Sequence, residues 1–281
     1  MTTFKAFLRH PTGMIGLFIL LCVVLLAVSA PWLFPDDPWD MVGAPFQPPL
    51  SEGLWLGSDM LGRDVAAGIA HGARISLIIG VVSTLTSLII GVTIGATAGY
   101  FGGKVDEVMM RLTELFQTIP GFVLAILLVA TLGPKISNVI FAIGIVSWPP
   151  LARLTRAEFM RLRGREFVQA AVCQGQRAIT VVLRRILPNA ISPIIVTGSL
   201  AVASAILIES ALSFMGLGDP NLMSWGFMIG AARTVIRQAW WMSVFPGLAI
   251  LLTVLAINLV GEGLNDVMNR AFHAGDNPDD R

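Results

Sequence analysis

REFVQAAVCQGQRAITVVLRRILPN (165–189) is the segment from which the rest of the chain can be interpreted. Charged and amide side chains lie there between apolar runs, and Gly175 interrupts the pattern. Glu166 suits the first turn of a short helix, where the helix dipole favours a carboxylate. Ala170 and Ala171 flatten the apolar side of that helix, and Gly175 is placed to end or bend it. The pattern predicts a helix shaped to enter a groove of another protein.

The composition around this segment is that of a membrane protein. Of 281 residues, 55% are hydrophobic and only 13% are charged, which is too apolar for a soluble domain of this length. Apolar runs long enough to cross the hydrocarbon core as helices occur at six places. We therefore predict an all-α integral membrane protein surrounded by lipid, with no nucleic-acid partner. The predicted spans are 14–34, 74–100, 115–133, 136–152, 188–212 and 241–261.

The basic residues predict which side each loop faces. With both termini inside, 14 of the 19 Lys and Arg residues lie in cytoplasmic segments, as the positive-inside rule requires. The resulting division is a cytoplasmic N-terminus (1–13), a signal-anchor helix (14–34), an external loop (35–73), a five-helix core (74–270) and a cytoplasmic tail (271–281). The core includes a cytoplasmic loop at 153–187. The outer side keeps only Arg63, Arg74, Lys135, Arg233 and Arg237.

The first span is predicted to be retained rather than cleaved as a signal peptide. Small residues precede Ala30, but Pro31 would follow the scissile bond and the apolar run continues beyond it. Cys22 and Cys173 fall on different sides in this topology, so no disulfide and no Cys/His metal site is expected.

The external loop is rich in Pro, Gly, Trp and acidic residues, and we expect it to pack over the external mouth. Asp64 is placed to cap a helix that begins at Val65. For Asp59 and Arg63 we favour pairing within the loop over ligand binding.

Two features within the spans point to close contacts. Gly91, Gly95 and Gly99 repeat at four-residue spacing, which lets another helix approach, either in this chain or in a partner subunit. Glu209 stands in an apolar run, where a carboxylate requires a partner, a proton or water. A polar pathway, a proton site and a buried interhelical hydrogen bond all remain open for Glu209.

Motifs of catalysis are absent from the sequence. It contains no G-x-x-x-x-G-K-[ST] phosphate loop, no G-x-S-x-G elbow and no H-E-x-x-H pair. A membrane enzyme would need a cluster of such groups, and a proton-driven carrier or channel would favour several intramembrane charges. For 165–178, a surface-lying membrane anchor is the alternative, but anchors favour large apolar residues and lysines.

The residues resemble a known family, the permeases of ABC importers. Gln169, Ala170, Ala171 and Gly175, followed by Ile186-Leu187-Pro188, look like the E-A-A-x-x-x-G loop with its terminal Leu-Pro, Gln169 replacing the glutamate. The likeness covers nearly the whole chain and is closest to the C-type subunit of the dipeptide/oligopeptide/nickel permeases. It is carried by GSDMLGRD, HGARISLIIG, AGYFGGKVDEVMMR, SALSFMGLG and FPGLAILLTVLAINLVGEGL.

The resemblance implies a type I importer fold in a bacterial inner membrane. The implied partners are a second, B-type permease subunit, two ABC ATPase subunits and an extracytoplasmic solute-binding protein. ATP and Mg would bind to the ATPases, with no cofactor or metal in this chain. Gln117, Pro120 and Glu209 are candidate path-facing groups. The residues implied to couple to the ATPase are Arg165, Glu166, Phe167, Gln169, Ala170, Ala171, Gly175 and Gln176.

Overall fold

The computed structural model describes residues 7–8, 10–51 and 53–275, with side chains described as far as Met268. The described residues form helices and connecting loops, without a β-strand longer than an isolated bridge. The predicted N-terminal segment 1–13 and tail 271–281, with Lys5, Arg9 and Arg281, lie largely outside these ranges. The helices are α1 (Pro11–Leu33), α2 (Val65–Phe101), α3 (Gly103–Thr118), α4 (Gly121–Leu132), α5 (Ile136–Arg163), α6 (Glu166–Cys173), α7 (Ala178–Val181) with a π-helical turn (Val182–Ile186), α8 (Leu187–Phe214), α9 (Trp225–Ala232) and α10 (Trp241–Gly275).

The start of α1 and the C-terminal part of α10 lie on the same side of the molecule. His10 Nε2 lies 3.2 Å from Asp266 Oδ2, so the start of α1 is beside the end of α10. Farther along the same pair, a Cβ on Gly16 would lie 2.7 Å from the carbonyl oxygen of Ala256. The helices are therefore antiparallel, and the number of membrane crossings is even.

The segment that contains the predicted span 115–133 is divided into two helices that meet at a bend. Among the described residues, five helices are long and apolar enough to span, and α3 with α4 form a sixth if that pair is one span. α3 and α4 meet at an angle of 77°. The bend follows from Pro120, which has no N–H to continue α3 and disfavours helical geometry at Ile119, whose ψ is 128°.

Several helices extend beyond their predicted spans. α2 has 37 residues and is about 55 Å long, whereas the hydrocarbon core is about 30 Å thick. α5 continues to Arg163 instead of ending near 152, so the predicted loop 153–187 is largely helical. Hydrophobicity determines which part of a helix lies in lipid. The helix itself extends farther because its backbone hydrogen bonds continue into the polar region.

The external loop packs against the outer ends of α9 and α10. Trp241 Nε1 donates to the carbonyl oxygen of Ser58 at 3.0 Å. The ring of Trp39 meets Phe227 of α9 edge-on, with 5.3 Å between centroids. We call the described part of 34–64, together with α9, the outer cap.

Local contacts in the outer cap confirm the predicted roles of its charged residues. Asp64 caps α2, since its side chain accepts a hydrogen bond from the N–H of Ala66 at 2.8 Å. Burial raises the pKa of the Asp64 carboxyl because desolvation outweighs that hydrogen bond. Asp59 accepts a hydrogen bond from the backbone N–H of Arg63 at 2.9 Å. The Arg63 guanidinium in turn lies 4.6 Å from the ring centre of Trp39.

The topology can be tested by cysteine labelling in a chain whose Cys22 and Cys173 are replaced by serine. A cysteine at Trp55 should react with an impermeant maleimide from outside, because this side chain is 78% exposed in the outer cap. A cysteine at exposed Gln174 should react only after the inner side is opened. Labelling of both positions from the same side would disprove the arrangement. Glu52, which the predicted topology also places outside, lies beyond the residues that the structure describes.

Candidate functional site

The segment quoted at the outset forms a short helix, α6, between two membrane helices. α6 begins after Arg165 and ends at Cys173, with Glu166 in its first turn. The N–H of Gly175 donates to the carbonyl oxygen of Val172 at 2.9 Å, and that of Gln176 to Ala171 at 3.2 Å. Gly175 has φ of +72°, so it supplies the left-handed residue that ends the helix.

One face of α6 is buried in the chain itself. Val168 is 1% exposed and Ala171 is 3% exposed. The expectation that Ala171 lies flat against another protein is corrected by this burial, because no part of its surface is free to do so. Arg165, Glu166, Phe167, Gln169 and Ala170 are exposed, as are Val172 and Gly175, and Gln176 is partly buried.

The buried face of α6 belongs to an inner cluster that joins several membrane helices. Val168 and Ala171 pack with Ala96 of α2 and Phe159 of α5. Ile194 of α8 and its neighbours complete the cluster. Since packed interiors are dense, this cluster attaches α6 firmly to the ends of these helices.

An open cavity of about 470 Å³ lies beside the exposed face. Tyr100 and Arg163 line one side of it, and Gln169 and Val172 line the other. Phe167 is 43% exposed and Val172 is 52% exposed, so the exposed side of α6 presents apolar side chains beside the charged Arg165 and Glu166. This combination suits insertion into a groove of another protein.

Gly175 offers a test of how α6 must end. Gly175→Val should destabilise the end of α6 by about 1–2 kcal/mol, because a β-branched residue in the left-handed region is strained by about that amount. Among the described residues nothing lies within 4 Å of an added Cβ, so backbone strain is the only steric obstacle. Gly175→Asn should be less destabilising, because Asn tolerates this conformation. Equal thermal stability of the two purified variants in one detergent would contradict the role assigned to Gly175.

The glycine repeat of α2 faces α5 of the same chain. A Cβ added to Gly91 would lie 2.8 Å from Cβ of Leu151, and one added to Gly99 would lie 2.6 Å from the carbonyl oxygen of Arg156. Gly95 faces the carbonyl oxygen of Ala152 even more closely. The backbones of α2 and α5 therefore touch directly, which only glycine permits.

The candidate path-facing residues do not lie together. Gln117 and Pro120 are exposed at the bend between α3 and α4. Glu209 is 2% exposed and borders a small void shared with Ile136, at the outer end of α5. α4 has 12 residues, so Pro120 lies about 18 Å farther toward the inside.

An ion pair on the inner side was missed by sequence reasoning. The Arg156 guanidinium of α5 donates two hydrogen bonds to the Asp106 carboxylate of α3. The longer one, from Nη2, is 2.5 Å. The sequence shows opposite charges in two segments predicted to lie on the inner side. Because Asp106 and Arg156 are fifty residues apart, the sequence does not indicate that these two residues meet. The pair fixes the start of α3 to α5.

Comparison with known proteins identifies two matching family models. Residues 91–273 match the model described as binding-protein-dependent transport system inner membrane component. Residues 2–49 match the N-terminal TM domain of oligopeptide transport permease C.

Several characterised proteins are similar over most of their length. A di/tripeptide transport system permease protein of Pseudomonas aeruginosa is 40% identical over 94% of this chain and 90% of its own. An oligopeptide transport system permease protein of Haemophilus influenzae is 36% identical over 94% of this chain and 86% of its own. A glutathione transport system permease protein of Pectobacterium atrosepticum is 39% identical over 94% and 89%.

Proposed function

The chain belongs to the family of binding-protein-dependent transport system inner membrane components, and from this premise we propose that it is a C-type permease subunit of an ATP-driven importer of short peptides. Its relatives are transport permeases rather than enzymes, and it is a multi-pass protein of the inner membrane. Three relatives are named for di/tripeptide, oligopeptide and glutathione transport, which supports peptides as the class of solute.

The assembly proposed for transport contains four other chains. A second, B-type permease subunit encloses the path with this one, two ABC ATPase subunits bind ATP and Mg inside, and a solute-binding protein delivers the peptide outside. The absence of a phosphate loop from this sequence supports hydrolysis by the partner subunits.

The proposed mechanism rests on the two faces of α6, one exposed and one buried. Its exposed face is free to bind an ATPase, and its buried face belongs to the inner cluster. When ATP brings the two ATPases together, the ATPase bound to α6 moves α6 with it. The helices packed on α6 follow as rigid bodies, so the path closes at one side of the membrane and opens at the other.

Reconstitution tests the proposed function. The complete complex in lipid vesicles should take up radiolabelled dialanine only with ATP and the binding protein, and the isolated chain should hydrolyse no ATP. Uptake driven by a proton gradient without ATP would instead support the proton-coupled carrier. Hydrolysis by the purified chain, in a preparation free of contaminating ATPases, would also contradict the proposal.

A further inference from the structure

Glu209 in α8 makes a set of hydrogen bonds that reaches across to the outer cap. Its Oε1 accepts from the hydroxyl of Ser213 at 2.8 Å and from that of Ser224 at 2.7 Å. Ser224 is the N-cap of α9, and its hydroxyl oxygen also accepts from the N–H of Phe227 at 3.1 Å. One carboxylate oxygen therefore joins α8 to the first turn of α9.

The two helices touch closely beside this carboxylate. A Cβ added to Gly226 would lie 2.7 Å from Cα of Ser210, and one added to Gly230 would lie 2.7 Å from the carbonyl oxygen of Ser213. The same position on Gly226 is 3.1 Å from Glu209 Oε2. The N-terminal turn of α9 thus faces the carboxylate of Glu209.

Trp225, the first residue of α9, also forms hydrogen bonds to α2. The N–H of Trp225 donates to Ser76 Oγ at 3.2 Å, and its indole Nε1 donates to the carbonyl oxygen of Ile69 at 3.0 Å. Phe227 meets Trp39 of the loop. Any displacement of the described part of 34–64 is therefore carried into α9, and Glu209 is one of the contacts through which it reaches α8.

An acidic side chain at this depth is costly unless its environment compensates it. Glu209 is enclosed, and its acceptors are directed at serines of two separate elements. We propose that Glu209 is a positioning residue that fastens the N-terminus of α9 to α8, so that the outer cap and the fifth span move together when the binding protein docks. This inference rests on the proposed function and deepens it.

The test compares variants of Glu209 in the complete complex in lipid nanodiscs. Glu209→Ala removes both acceptors and should lower by at least tenfold the ratio of ATP hydrolysis with binding protein to hydrolysis without it. Glu209→Gln keeps an oxygen that accepts both serine hydroxyls and should retain at least half of that ratio. Ser204→Ala, which removes an exposed hydroxyl from the same helix, is the matched control and should change nothing.

A second variant reaches the same contact without touching the carboxylate. Gly226→Ala places a methyl group against the backbone of Ser210 and should push α9 away from α8, lowering the ratio as Glu209→Ala does. Gly247→Ala is its control, because among the described residues nothing lies within 4 Å of a Cβ there. Gly226→Ala decides the matter if Glu209→Ala fails to assemble.

Three results would overturn the inference. The ratio could remain within twofold of wild type in Glu209→Ala, Glu209→Gln could be as impaired as Glu209→Ala, or both hydrolysis rates could fall in parallel with the yield of complex. The first would remove any role in coupling, the second would indicate a need for charge, and the third would indicate structural support alone. Uptake by the wild-type complex is measured in a separate experiment. A failure of the proposed function would appear there as a lack of ATP-dependent uptake.

Discussion

Ala170→Arg is expected to abolish uptake in a chain that still inserts and folds, whereas Ala171→Arg is expected to prevent folding. Ala170 is exposed on α6, and exposed substitutions usually change stability by less than about 0.5 kcal/mol. Ala171 is 3% exposed within the inner cluster. An arginine there buries a charge without a partner and should cost at least about 3 kcal/mol.

Purification yield and copurification with the ATPases distinguish Ala170→Arg from Ala171→Arg. Ala170→Arg should give a normal monodisperse yield but should not copurify with the ATPases, because a long cation occupies the contact. Ala171→Arg should be degraded or aggregated. Ala157→Arg, an exposed change on α5, is the matched control and should behave as wild type. Normal assembly and uptake in Ala170→Arg would remove α6 from the coupling contact, and a normal yield of Ala171→Arg would contradict its burial.

Gly95→Ala is expected to destabilise the chain strongly although it adds a single methyl group. The added Cβ would overlap the carbonyl oxygen of Ala152, and it would meet the Thr155 Cβ at 2.7 Å. Backbone atoms cannot rotate away, so α2 and α5 must separate along the whole glycine repeat. We expect a loss of about 3 kcal/mol or more, at the upper end of overpacking effects.

Thermal unfolding in one detergent provides the measurement for Gly95→Ala. The variant should lose its folded fraction at a temperature well below that of wild type, while Gly247→Ala, with open space around its Cβ, should not. If Gly95→Ala unfolded at the wild-type temperature, the direct contact between α2 and α5 would be wrong.

Features with a local cause were predictable from the sequence. Apolar runs located the membrane crossings because the cost of burying polar groups in lipid acts on each segment separately. The cap at Asp64 was predictable because capping involves only the next few residues. The end of α5 at Arg163 was not, because its last turns lie outside the hydrocarbon core and are held by packing on α6 and by the ion pair to Asp106.

Features that depend on distant segments were only partly accessible. The spacing of Gly91, Gly95 and Gly99 predicted a face for close approach, but it could not identify α5 as the helix that approaches. The flat side of α6 was recognised from Ala170 and Ala171, but sequence alone did not divide it between a buried and an exposed alanine. That division follows from Val168, which lies three residues before Ala171 on the same face and packs into the inner cluster.

The bend at Pro120 restricts what can surround the chain in the bilayer. α4 is about 18 Å long and the hydrocarbon layer is about 30 Å thick, so a single span made of α3 and α4 has its break inside that layer. Peptide groups at such a break lack the regular helical hydrogen bonds, and acyl chains offer no substitutes for them. Thr118, Ile119 and Pro120 are exposed in this chain. In the assembled transporter this part of the surface must therefore face water or another polypeptide, and the annulus of lipid around the permease is interrupted there.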